Sequence, residues 1–180
     1  DVWTAPNLHR IGIRSRRFDH AVVNREMARG ADLPRLRDLA RIDDLDPQLE
    51  LIALEQDAVL SRTGDDIEYV IFPHKGAITL MIDMADGQTV ATAIIGREGA
   101  VGLLSVLGPS PSAITAVVRA PGPAARIPAS RFHAAFSRSP AIRHAVQNHV
   151  KSMLIQFQVG AACNALHPVE ARMARWMLQL

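Results

Sequence analysis

At 180 residues, 48% hydrophobic and 21% charged, with 11 Gly and 11 Pro, the chain is long enough to bury one full core and has the composition of neither a disordered nor a fibrous protein. Its net charge of +2 comes from 20 Lys and Arg against 18 Asp and Glu, so a sequence pI of about 9.2 does not by itself point to nucleic acid. A single cysteine, Cys163, excludes an internal disulfide framework, no Cys or His spacing suits a zinc site, and no apolar run approaches the roughly 18 residues of a membrane span, so a cytoplasmic protein without a membrane partner is expected.

Residues 1–30 mix Arg, Asn, Asp and Gly without a sustained period and read as an N-terminal arm, its basic run Arg14 to Arg17 solvated. Behind Asp32, a plausible N-cap, Leu33, Leu36, Leu39 and Ala40 fall at helical intervals and predict a short helix to Ile42. The pattern then changes to short apolar or alternating runs: Leu49–Leu54, Ala58–Leu60, Glu68–Phe72, Ala77–Ile82, Thr89–Ile95 and Ile114–Ala120. Each reads as a strand, separated by turn signals at Gly64-Asp65, His74-Lys75-Gly76, Asp86-Gly87 and Pro121-Gly122. This spacing predicts an antiparallel sandwich or roll within an α+β chain.

After Pro128 the helical period returns, first through Phe132, Ala135 and Phe136, then in a long helix opened by Ser139-Pro140 and running to about Asn164. At roughly 37 Å it is too long for a domain this small to cover. Val146, Val150, Met153, Phe157, Gly160 and Asn164 follow the alternating four-and-three spacing of a coiled-coil seam, which predicts a homodimer through this helix. His167-Pro168 interrupts it. Val169, Met173, Trp176, Met177 and Leu180 then start a second amphipathic helix, expected to lead into a further domain. The organisation expected is an arm at 1–30, an effector-binding roll at 31–137, a dimerisation helix at 138–166 and the first helix of a truncated DNA-binding domain at 167–180.

Three stretches carry a family resemblance: Tyr69–Gly76, Ile95–Gly102, and Gly160–Leu178 with its Asn164, His167-Pro168 and Val169-Glu170. In this order they resemble the β-roll, hinge and first DNA-domain helix of the CRP/FNR (catabolite activator) transcription regulators. The resemblance implies a double-stranded jelly roll of the cyclic-nucleotide-binding-domain type with short flanking helices. It also implies a homodimer that binds DNA through a C-terminal winged helix-turn-helix absent from this chain. The implied ligand pocket comprises Gly96, Arg97, Glu98, Gly99, Gly102, Leu103, Ile114 and Thr115. Where nucleotide-binding members carry a Glu for the ribose and an Arg for the phosphate, the resemblance aligns Leu103 and Ile114, so cyclic AMP binding is expected to be absent or weak. An unknown small-molecule effector is expected instead. No cofactor is predicted: an iron–sulfur cluster needs several Cys, and His74, His133, His144 and His149 are read as surface or helix-face residues rather than haem ligands.

An enzyme is not expected. A cupin-like metal enzyme, one alternative, would need a His-x-His and Glu cluster, and no His-x-His occurs. No Gly-x-Ser-x-Gly elbow is present, and Cys163 falls in a small-residue stretch of the dimerisation helix. The other alternative is a β-roll sensor module serving a different signalling protein.

Overall fold

The computed structural model describes residues 45–108, 111–170 and 172–173. The expected arm, the helix over 33–42, and Trp176, Met177 and Leu180 lie outside them. Among the described residues seven strands form: β1 Glu50–Leu54, β2 Val59–Ser61, β3 Tyr69–Pro73, β4 Ala77–Asp83, β5 Thr89–Ile95, β6 Thr115–Ala120 and β7 Gly122–Pro128. Every pairing is antiparallel, in a three-stranded sheet ordered β1-β7-β3 and a four-stranded sheet ordered β2-β6-β4-β5. Helices α1 Ala129–Arg138 and α2 Pro140–Leu166 follow, and a 3₁₀ helix Leu103–Leu107 lies between β5 and β6. The expected α+β chain built on an antiparallel β-roll is therefore what forms.

The strand missed in the sequence is β7, and it is central to its sheet. Its residues, Gly122-Pro123-Ala124-Ala125-Arg126-Ile127-Pro128, include two prolines and two alanines, a composition that argues against an inner strand. The register resolves the conflict. Pro123 pairs with Ala53 of β1 and sits past the end of β3, where its carbonyl accepts the backbone N–H groups of His74 and Lys75 at 2.9 and 3.2 Å. Pro128 pairs with Tyr69 of β3, beyond the last β1 partner, Arg126. Each proline thus has a strand on one side only, where a missing donor is tolerated. Arg126 and Glu50 face each other across β1 and β7, with Nε to Oε2 at 2.9 Å and Nη2 to Oε1 at 3.1 Å, and the guanidinium lies 4.4 Å from the Tyr69 ring centre.

Two apolar clusters share β3. Ile71 joins Leu54, Ile78, Leu80, Ile95, Val101, Ala116, Val118 and Ala124 inside the roll. Its neighbours Val70 and Phe72 point the other way, into a cluster with Leu103, Val106, Ile127, Phe132, Ala135, Ile142 and Val146 beneath the helices. Alternate residues of a strand face opposite sides, so a strand covered on both faces must be apolar throughout, as Val70-Ile71-Phe72 is. Phe72 meets Phe132 of α1 edge to face, ring centres 5.8 Å apart.

Ser139 occupies the N-cap of α2 with Pro140 beginning the helix, as the sequence suggests, but its side chain makes no capping hydrogen bond. Its backbone N–H instead donates to Ala135 O at 2.8 Å, closing α1. Arg143 completes the corner, donating from Nη1 to the carbonyls of Phe136 and Ser137 at 3.1 and 2.7 Å, groups that the end of a helix leaves unpaired. With 27 residues, α2 is about 40 Å long.

Candidate functional site

The chain leaves β5 through a tight turn, Gly96 to Gly99, in which Gly99 N–H donates to Gly96 O at 3.1 Å and Gly96 N–H donates to Glu98 Oε1 at 2.9 Å. It then crosses β3 through an isolated bridge between Val101 and Ile71 and turns at Gly102, whose φ is 81°. A side chain at Gly102 would be strained by that angle and would also run into Tyr69 O, so glycine is required there twice over. The turn starts the 3₁₀ helix Leu103–Leu107, with Ser105 Oγ donating to Gly102 O at 2.7 Å.

Under this turn lies a cavity of about 140 Å³. Its lining includes Gly102, Leu103 and Leu104 of the turn, Ile67 and Leu80, Ser112 and Ile114, and Met153 of α2. No Lys, Arg or His is among the described residues lining it. Ser112 Oγ is engaged locally, donating to Ile114 O at 2.7 Å.

Of the pocket residues read from the sequence, this cavity brings together Gly102, Leu103 and Ile114. Leu103 is buried in the cluster under the helices. Gly96, Arg97, Glu98 and Gly99 stand apart in the β5 turn, where Arg97 and Glu98 are exposed. Thr115 is committed elsewhere: its Oγ1 donates to Asp83 Oδ2 at 2.7 Å and accepts Thr63 N–H at 3.1 Å, while Thr63 Oγ1 also donates to Asp83 Oδ2 at 3.0 Å. Ser61, Leu80 and Met153 line the cavity without having been read as pocket residues from the sequence, which placed Met153 in the dimer seam. They come from three elements far apart in the chain, and no local pattern joins them.

Of the histidines, His74, His133 and His144 are exposed. His149 of α2 is largely buried against the β5 turn, with Gly99 leaving it just enough room. Burial pushes its pKa down to about 4, a shift the nearby Glu98 carboxylate opposes, and its Nε2 has no hydrogen-bond partner among the described residues. Cys163 is buried, its Sγ 3.2 Å from His167 Nδ1 at the end of α2. Among the described residues no three His, Cys, Asp or Glu side chains converge as a metal site requires, and no helix is long and apolar enough to cross a membrane.

Helix α2 divides the predicted seam. Val146 is 0% exposed, with Ile142 and Ala145 beside it in the chain's own core, so it has no surface left for a partner. Val150 and Met153 are half-buried against the two clusters. Beyond them the apolar surface opens, with Leu154 at 56% and Phe157 at 42% exposed. Continuing from half-buried Val150, the stripe left exposed among the described residues is Leu154, Phe157, Ala161 and Asn164, rotated from the predicted seam so that Leu154 and Ala161 replace Met153 and Gly160. Beside it, a groove of about 420 Å³ runs between α2 (Phe157, Gly160, Ala161, Asn164) and edge strand β5 (Val90 to Ile94).

Residues 51–139 match the cyclic nucleotide-binding domain family. No curated protein sequence matches the chain. Among solved structures, the c-di-GMP-responsive global regulator CLP of Xanthomonas campestris is 18% identical, with 79% of this chain and 72% of CLP covered at a TM-score of 0.68. FixK2 from Bradyrhizobium japonicum is 16% identical over 63% of this chain and 56% of its own, at a TM-score of 0.56. The sensor domain of the transcriptional regulator DNR from Pseudomonas aeruginosa is 14% identical over 66% of this chain and 87% of its own, at 0.52. These neighbours are CRP/FNR-family regulators, and at such identities the likeness establishes the fold. The chain spans little more than half of FixK2.

Proposed function

Residues 51–139 form a cyclic nucleotide-binding domain, and from that premise we propose that the chain is the effector-sensing and dimerising part of a transcription regulator. One observation carries the reading. The long helix turns one face to its own roll and leaves a second face, Leu154, Phe157, Ala161 and Asn164, exposed and without a partner among the described residues. The four-and-three spacing of that face is what a second copy of the same helix would fill, with Ala161 and the neighbouring Gly160 permitting close approach. On this reading, DNA recognition belongs to a segment beyond α2. Val169, Glu170, Arg172 and Met173 are already helical there, with Val169 and Met173 exposed at a spacing of four. The effector is not cyclic AMP, because the cavity under Gly102 offers a phosphate no described cation and Ile114 takes the expected place of the arginine.

Sedimentation equilibrium tests the dimer. The unaltered chain is expected as a dimer, and the double variant Leu154→Glu with Phe157→Glu as a folded monomer, since both positions are exposed in the protomer and like charges would meet across the seam. A double variant that stays dimeric, or an unaltered chain that is monomeric, overturns the reading.

A further inference from the structure

We propose that the cavity beneath Gly102 receives a small, uncharged, largely apolar molecule on the scale of a single aromatic ring. The assignment rests on the sensor reading above and names the chemical class of its effector. Size is the first ground. A cavity of about 140 Å³ is well below the roughly 300–1,000 Å³ of pockets for drug-sized ligands, and close to the ~150 Å³ apolar cavities that stay dry and take up benzene.

Chemistry is the second ground. Leu80, Val101, Leu103, Ile114 and Met153 give the walls nothing with which to replace the hydration of an ion. Arg119 of β6 does not line the cavity and is paired with Asp57, Nη1 to Oδ1 at 2.9 Å. Among the described residues, the polar side chains in the lining are two serines. Ser112 Oγ is bonded to the Ile114 backbone, whereas the Ser61 hydroxyl carries no hydrogen bond among the described residues and is left for one polar group on the guest. A ring bearing one hydroxyl suits that inventory, and a nucleotide does not.

Position is the third ground. Met153 lines the cavity from α2, immediately before Leu154 of the unpartnered stripe. Its unbranched thioether is easily displaced, so a guest would press on the helix at the start of the proposed dimer surface.

The test uses phenol as probe on the chain carrying carbon-13-labelled methionine methyls. Phenol is expected to move the Met153 methyl resonance saturably and leave that of Met84, exposed just beyond the end of β4, in place. Ile114→Phe, which fills the cavity, should weaken phenol binding by about tenfold or more. Because that variant could disturb the wall, Ala113→Trp at the exposed rim serves as the second blocking variant. Cyclic AMP is expected to move neither resonance. Absence of a saturable Met153 shift, equal shifts at both methyls, undiminished phenol binding in both blocking variants, or saturable binding of cyclic AMP would each overturn the assignment. Sedimentation of the unliganded chain keeps the two readings apart: a dimer that ignores phenol sinks the cavity assignment alone, and a monomer that binds phenol sinks the dimer alone.

Discussion

The two halves of α2 have opposite fates, and the half richer in apolar residues, Met153–Leu166, is the one that reaches solvent. In the first, Ile142, Ala145 and Val146 are sealed beneath the roll's outer sheet. In the second, Leu154 and Phe157 stand in solvent. The difference lies in what the roll reaches: the described core under the helices ends at Val150, while the helix continues to Leu166. An amphipathic stripe shows that a face will be covered, but not by whom. Apolar residues at 146, 150, 153, 154, 157, 160 and 161 satisfy two four-and-three series at once, and docking on the roll decides which one remains free.

The sharpest way to break that contrast is to place the same charge in each half. Val146→Asp should leave little folded chain, since an unpaired carboxylate in a dry core costs several kcal/mol out of a total stability of roughly 5–15. Phe157→Asp should keep the circular dichroism of the folded roll. A Val146→Asp chain that melts normally and merely loses its dimer would restore Val146 to the seam.

A smaller effect is expected at the join between the halves, where His149 is held neutral by burial. Its folded pKa of about 4 lies below its ordinary 6.5, so the unfolded chain takes up the proton first as pH falls. The neutral histidine's contribution is therefore complete above pH 6.5 and lost progressively towards pH 4, by on the order of 3 kcal/mol. Denaturant melts across that window should show the decline, and His149→Leu should flatten it. An unchanged slope in the variant would place the acid sensitivity elsewhere.

The smallest effect is expected far from the helix. Arg126→Gln removes an exposed pair with Glu50, whose pKa the guanidinium holds below its ordinary value. Solvent screening leaves such pairs little to contribute, so the thermal midpoint should stay within replicate error.

How much of this was legible in the sequence depended on whether the cause was local. Alternation and glycine turns marked six strands, and Ser139-Pro140 marked the start of α2. Strand β7 was hidden because its two prolines are acceptable only through where β1 and β3 end, which is a property of partners rather than of β7 itself. At the site, Gly102 was placed in the pocket by the family resemblance, and the folded turn with its close approach to Tyr69 O gives the physical reason for glycine there. Ser61, Leu80 and Met153 were not so placed, since what unites them is a shared void. Thr115 was placed in the pocket, but Asp83 and Thr63, brought beside it by the folded sheet, claim its hydroxyl.

Strand β3 lends one face to each apolar cluster, with Ile71 on one side and Val70 and Phe72 on the other. Among the described residues, a roll and helix layer that share such a party wall have no seam along which to come apart in stages. Helix layer and roll should melt in one all-or-none transition, with equal calorimetric and van't Hoff enthalpies.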